Sequence, residues 1–313
     1  MKPQPYAIVF SGQGTERVGM FIDILKQADR YNEFFARLEG RLGTSLYNVL
    51  RSTNLSVVTA NNQILLSIFH HLTAGLVMEA IGRPPIMCLG HSFGQFSALA
   101  NCGAVDFFDV ADFVLTRQQI INNPQVVVTA AMKSVHGATH DNLIRLCREN
   151  ELESDVAVAL HNQADQIVCA VTSEGAVRLD ELAASNAYVV KDVNVSRPYH
   201  TRFMVEYNRM LMPFIHALAI KPPRWPVLLN HSITPTLCPD KIRAEMAIQM
   251  VRPVYWYDSI MLASEQAELF VVIDPSNVQT KMLEKALKQA DKKSQVLHIA
   301  NASGINRIKN RRS

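Results

Sequence analysis

Ile86-Met87-Cys88-Leu89-Gly90-His91-Ser92-Phe93-Gly94-Gln95 is the stretch on which the fold turns. Residues 86–89 are a short apolar run of the kind that forms a buried strand. Gln95 to Cys102 reads as a helix. Between them stands Gly-x-Ser-x-Gly, with Ser92 at its centre. Strand, sharp turn and helix is the context in which this pattern makes a nucleophile elbow. Glycines at 90 and 94 leave room for a tight turn, which exposes the Ser92 hydroxyl and sets the backbone N–H of Phe93 beside it. The helix N-terminus beneath adds partial positive charge that favours an oxyanion.

Working outward, Tyr6 to Phe10 is a second apolar run, stopped by Ser11-Gly12-Gln13-Gly14. It reads as a buried parallel strand feeding a turn. Helical patterns follow at Met20 to Leu38 and at Asn62 to Ile81, the latter ended by Gly82 and Pro84-Pro85. Val271 to Ile273 and Gln295 to Ile299 read as late strands of the same sheet. The middle has another rhythm: Val126 to Val135 strand, Asp141 to Glu149 helix, then Val156 to His161 and Gln166 to Val171 as strands joined by the turn Asn162-Gln163-Ala164-Asp165. Glu174 to Ser185 is helical and Tyr188 to Val195 strand-like. That β-α-β-β-α-β order is ferredoxin-like. The fold class is therefore α/β: a large α/β-hydrolase-like domain with a parallel sheet, residues 1–125 and 197–313, and a small inserted ferredoxin-like domain, residues 126–196.

The 313 residues, 48% hydrophobic and 19% charged, suit an ordinary globular chain and exclude a disordered one. A net charge of +3 is too small to argue for nucleic acid. Cys88, Cys102, Cys147, Cys169 and Cys238 form no CxxC pair, which suggests reduced thiols in a cytoplasmic protein. Met1-Lys2-Pro3-Gln4-Pro5 lacks the apolar run of a signal peptide, and no stretch reads as a bilayer span, so no membrane association is expected. No His/Cys/Asp cluster has the spacing of metal ligands. The tail Asn306 to Ser313 is basic and expected to fray.

A serine nucleophile needs a base. Of ten histidines, His70 and His71 lie in a helical run and read as structural. His91 is inside the elbow, and His200 ends a strand in Ser196-Arg197-Pro198-Tyr199-His200. Position does not choose among them.

Several motifs in order do. Phe10-Ser11-Gly12-Gln13-Gly14 resembles F-x-G-Q-G, Gly90 to Gln95 resembles G-H-S-x-G-E, Ser196-x-Pro198-x-His200 resembles a histidine motif, and Pro253-Val254-x-Trp256 resembles N-P-V-x-W. Gln63, and Arg117 in Leu115-Thr116-Arg117, also fall at matching places. Over nearly its whole length the chain resembles the malonyl-CoA:acyl carrier protein transacylase family, including stand-alone acyltransferases of polyketide assembly lines.

The resemblance implies roles. Ser92 attacks an acyl thioester, with His200 as base and then acid. The main-chain carbonyl of Gln249 orients the imidazole, and the backbone N–H groups of Phe93 and Gln13 form the oxyanion hole. Arg117 pairs two-pronged with a malonyl carboxylate, Gln63 bonds nearby, and Tyr199 fills the space an α-methyl would need. Asn162 and Asn230 match polar positions near the family's site. The implied donor is a coenzyme A thioester, a substrate and not a resident cofactor. The implied acceptor is the phosphopantetheine thiol of an acyl carrier protein, toward which Lys281, Lys285 and Lys288 could present a basic face. A monomer is expected. Three departures point to a specialised relative: Gln95 for the family glutamate, Glu16 for the glutamine of G-Q-G-x-Q, and Asp274-Pro275-Ser276-Asn277-Val278 for G-P-G-x-V. Rival readings are an editing acyl hydrolase on this scaffold, an esterase using His298 as base, and a docking module for which only Gln95 speaks.

Overall fold

Tyr6–Phe10 is apolar at every position, and a strand of that kind is stable only with both faces covered. A computed structural model, describing residues 4–26, 28–43 and 45–310, places it near the centre of a sheet with every residue buried. Met1 to Pro3 of the N-terminal reading and Arg311 to Ser313 of the tail lie outside the described residues.

After this first strand, β1, come α1 (Ile22–Leu25), α2 (Ala28–Leu42), α3 (Tyr47–Leu50), α4 (Leu55–Ala60) and α5 (Asn62–Ile81). The expected single helix from Met20 to Leu38 is thus two. Next come β2 (Met87–Gly90), α6 (Gly94–Asn101) and α7 (Phe107–Ile121). Helix α5 is long and apolar enough to cross a membrane by length and composition, contrary to the expectation that no stretch would be. It is a core helix here, buried from Asn62 through Phe69 on every side. Gly82 ends it in the left-handed conformation, φ 70°, with its N–H donating to the Met78 carbonyl.

The middle of the chain gives β3 (Ala131–His136), α8 (His140–Glu149), β4 (Val156–Gln163), β5 (Gln166–Val171), α9 (Ser173–Ser185) and β6 (Val189–Val193). These strands form an antiparallel sheet in the order β4-β5-β3-β6, the ferredoxin-like order. Thr139 and Thr172 cap α8 and α9, their hydroxyls accepting from Asn142 and Gly175 N–H; each such cap contributes about 1 kcal/mol. One sheet face packs on these helices through Val135, Leu143, Ile167 and Leu179. Strand β3 starts at Ala131, not Val126, because Val126 and Val128 pack instead against the large core, where Tyr207 O–H donates to the Val126 carbonyl. Strand β4 runs on through Asn162 and Gln163, so the turn into β5 is shorter than expected.

A 3₁₀ turn (Arg202–Met204) leads to α10 (Val205–Ala217), β7 (Val227–Leu228), β8 (Pro235–Thr236), α11 (Pro239–Ile248) and α12 (Trp256–Ser264). The chain closes with β9 (Leu269–Ile273), α13 (Val278–Gln289), β10 (Gln295–Ile299) and α14 (Ala302–Asn310). The large sheet has the order β10-β9-β1-β2-β7-β8, parallel except for β8. The two sheets meet where β4 bridges Val254, with His161 N–H donating to the Val254 carbonyl and Val254 N–H to that of Ala159.

Candidate active site

The elbow follows from its two glycines. A Cβ on Gly90 would lie 2.0 Å from the carbonyl carbon of Gly94, and one on Gly94 would lie 2.3 Å from the Phe10 oxygen. Only glycine permits β2 to turn so tightly into α6 against the end of β1. Ser92 sits at φ 52° at the apex, a conformation that costs a non-glycine residue about 1–3 kcal/mol and is held by its surroundings.

The loop after β6 brings His200 to the serine. Its own φ is 63°, and its N–H donates to the Met250 carbonyl. His200 Nδ1 lies 2.7 Å from the Gln249 carbonyl oxygen. A carbonyl can only accept, so Nδ1 carries the proton and Nε2 is left as the acceptor. Nε2 stands 2.5 Å from Ser92 Oγ, placed to receive the hydroxyl proton. Burial, aided by the nearby Arg117 and His91, brings the imidazole pKa down to about 3 against the opposing Gln249 bond. The ring is therefore neutral near neutral pH. The Gln249 amide donates to the Ser92 carbonyl at 3.3 Å, so this residue touches both members of the pair.

Ser92, His200 and Arg117 line one cavity of about 860 Å³, as do Gln13, Gln63 and Tyr199. The N–H groups of Gln13 and Phe93 have no protein acceptor among the described residues, which leaves them free for an oxyanion. Arg117 is almost wholly buried on α7 and donates to Gln63 Oε1 at 3.0 Å. Its Nε has no partner, and no carboxylate pairs with it among the described residues. Phe96 and Tyr199 face the guanidinium at 5.7 and 5.5 Å. Burial lowers its pKa, yet a guanidinium stays charged in proteins. An unpaired buried cation beside the nucleophile is costly unless an anion joins it.

Asn162 and Asn230 do not line the cavity; both brace the elbow. Asn162 Oδ1 meets His91 Nε2 at 2.9 Å, and that imidazole stands edge-on to Trp256. Asn230 donates from Nδ2 to the Gly90 carbonyl at 2.7 Å, and its backbone N–H donates to Gln95 Oε1 at 2.8 Å. Gln95 thus acts as an acceptor under the elbow, as a carboxylate there could. Glu16 also braces a loop, accepting from Gly14 N–H at 2.8 Å and from the Asn62 amide. His298 Nε2 donates to the Asp274 carbonyl at 2.7 Å and not to Ser92, so it is not the base. The Asp274 carboxylate accepts from Ser276 and Thr280 N–H, and Asn277, at φ 134°, takes a conformation that favours glycine.

The profile of the acyl transferase domain matches residues 7–303. The chain belongs to the acyl transferase family. The Escherichia coli K12 protein named malonyl CoA-acyl carrier protein transacylase is 26% identical over 282 residues, covering 88% of this chain and 90% of that one. The polyketide biosynthesis protein PksE of Bacillus subtilis is 27% identical over 90% of this chain and 36% of its own length. The solved malonyl CoA-acyl carrier protein transacylase of Coxiella burnetii superposes with a TM-score of 0.87 at 26% identity, covering 99% and 98% of the two chains. An acyltransferase with a Ser92–His200 pair accounts for the geometry above.

The sequence reading missed one wall of this acyltransferase's cavity. Met132, Leu160, Val168 and Val193, one from each strand of the small sheet, line it opposite the polar residues. Their alternation was visible in sequence, but which face would meet the large domain was not.

Proposed function

We propose that this acyltransferase moves a malonyl group from coenzyme A to the phosphopantetheine thiol of an acyl carrier protein, in fatty acid or polyketide synthesis. The observation that carries this reading is Arg117, a buried guanidinium whose partners among the described residues are neutral, opening into the cavity of Ser92 and His200. A malonyl carboxylate supplies the missing anion, and a plain acyl chain does not. The names of the Escherichia coli and Coxiella relatives support the same donor and acceptor.

The chemistry is a two-step exchange. His200 Nε2 takes the Ser92 proton as Oγ attacks the thioester carbonyl. The Phe93 and Gln13 N–H groups hold the resulting oxyanion. Collapse breaks the C–S bond, and the imidazolium returns the proton to the coenzyme A sulfur. In the second step His200 deprotonates the carrier thiol, which attacks the acyl-serine and releases Ser92 Oγ to be reprotonated. No resident cofactor enters this scheme. Tyr199, between Arg117 and His200, restricts the α-carbon of the acyl group. The exposed Lys281, Lys285 and Lys288 favour an acidic carrier, although Lys285 already reaches Asp165 at 3.4 Å.

Intact mass after incubation with malonyl-CoA tests the reading. A malonyl adduct on the wild-type chain, absent from Ser92→Ala, is expected. No adduct from any acyl-CoA would overturn it, and rapid release to water without a carrier would favour the editing hydrolase.

A further inference from the structure

His70 lies on the core helix α5, wholly buried, with Phe10 and Phe69 against its ring. Both nitrogens are engaged by hydroxyls: Nδ1 with Ser97 Oγ at 2.9 Å and Nε2 with Ser11 Oγ at 3.1 Å. Ser11 Oγ lies 2.8 Å from Thr15 Oγ1, and Thr15 donates to the Gly12 carbonyl at 2.7 Å.

The direction of every bond follows from that last one. A carbonyl only accepts, so the single Thr15 proton goes to Gly12. Thr15 Oγ1 must then accept from Ser11, whose single proton is thereby used. Ser11 Oγ can meet His70 only as an acceptor, so Nε2 carries the ring proton. His70 Nδ1 then accepts from the Ser97 hydroxyl. The order is Ser97 O–H to His70 Nδ1, His70 Nε2–H to Ser11, Ser11 O–H to Thr15, and Thr15 O–H to Gly12. Burial keeps the ring neutral, its pKa brought down to about 3, so only one of its nitrogens carries a proton and Nδ1 is left to accept.

The two ends of this chain lie on the two elements that carry the oxyanion donors, Phe93 and Gln13. Ser97 belongs to α6, which begins immediately after Phe93, and residues 11–15 form the loop that carries Gln13. Resting on the transfer reading above, we propose that neutral, Nε2-protonated His70 is a positioning residue that fixes the spacing between the Phe93 and Gln13 N–H groups. It touches neither substrate nor Ser92. It holds the β1 loop to the nucleophile helix, so that both donors meet one oxygen atom.

Two measurements test this. Long-range ¹H–¹⁵N correlation on the wild-type protein, assigned with His70→Phe, should show His70 as the Nε2–H tautomer from pH 6 to 8. Single-turnover acylation by malonyl-CoA should be about tenfold or more slower in His70→Phe, with half-saturation unchanged, because losing one oxyanion donor outright costs about 10²–10³. Thr15→Val and Ser97→Ala should move the rate the same way, and His70→Gln, which keeps a donor and an acceptor, should recover part of it. Leu72→Ala, buried on the same helix but outside the chain of bonds, should lose stability and keep its rate. An Nδ1–H tautomer or an imidazolium would overturn the proposal, as would acylation of folded His70→Phe within about twofold of wild type. If His70→Phe fails to fold, the Thr15 and Ser97 variants decide by rate, and His70→Gln serves for assignment. If the wild-type chain takes no acyl group, the transfer reading fails, and the tautomer still decides whether the strut exists.

Discussion

Replacing Arg117 by methionine removes the one Lys or Arg that lines the nucleophile's cavity among the described residues while keeping a long apolar side chain on α7. A malonyl carboxylate held by the guanidinium gains two charge-assisted hydrogen bonds, at about 1.5–3 kcal/mol each. Their loss should therefore cost about 3–6 kcal/mol, or roughly 10²–10⁴ in kcat/KM for malonyl loading. Acetyl loading should move the other way. In the wild-type protein a methyl group would leave the buried guanidinium with Gln63 as its one hydrogen-bond partner among the described residues, and the variant no longer carries that penalty. Without ligand, the variant should melt a few degrees higher, because an unpaired buried charge has been removed. Quenched-flow intact mass with each acyl-CoA gives the rates, and calorimetry gives the melting temperatures. Malonyl loading by Arg117→Met within about tenfold of wild type, with no gain for acetyl, would refute the clamp.

Buried histidines should make the fold sensitive to acid. Burial brings His70 and His200 down to about 3 and His71 and His91 to about 4. Unfolded, these rings take up protons as pH falls through about 6.5; folded, they resist until the lower values. Between those limits the unfolded state binds more protons, so stability rises with pH and is lost on acidification, by about 1.4 kcal/mol per ring per pH unit. Denaturant midpoints that stay flat from pH 7.5 to 5 would contradict this. For the same reason, kcat/KM for acylation should show no acid limb near pH 6.5 while the protein stays folded; a limb there would mean that the free enzyme's base titrates normally. His200→Ala should lower acylation about 10³-fold or more, whereas Gln249→Ala, which keeps the orienting carbonyl, should cost less than about tenfold. Equal losses in the two variants would place the orienting role in the Gln249 side chain.

The elbow was legible because its constraint is local. Gly90 and Gly94 are required by backbone atoms within a few residues or on the adjoining strand, and no partner choice intervenes. The ferredoxin-like order was legible from alternation and turn spacing. Arg117 was legible as an arginine at a particular place, but its burial was not, since that depends on Phe96, Tyr199 and Gln63 closing around it. Asn162 and Asn230 were read toward the substrate, and the structure also gives each a partner at the elbow, His91 and the Gly90 carbonyl. A polar side chain takes whichever partner the tertiary fold brings, and that partner lies far along the sequence. Val126 and Val128 misled for a related reason, since apolar character does not say which core will take it. His70 read only as structural, and its place in an ordered set of hydroxyls needed the positions of two other elements, the loop after β1 and α6.

The neighbours of β1 have a consequence for how the enzyme comes into being. This strand pairs Tyr6 with Leu269 on one side and Ala7 with Met87 on the other, and Ser11 N–H is tied to the Ile273 carbonyl. The loop carrying Gln13 is thus anchored by β9, a strand far along the chain. Pairings so distant in sequence are slow to form. A growing chain can make its elbow early, but the Gln13 loop has no β9 to hold it until residues 269–273 have left the ribosome. An unfinished polypeptide therefore carries Ser92 before the Gln13 loop that lines the same cavity is anchored.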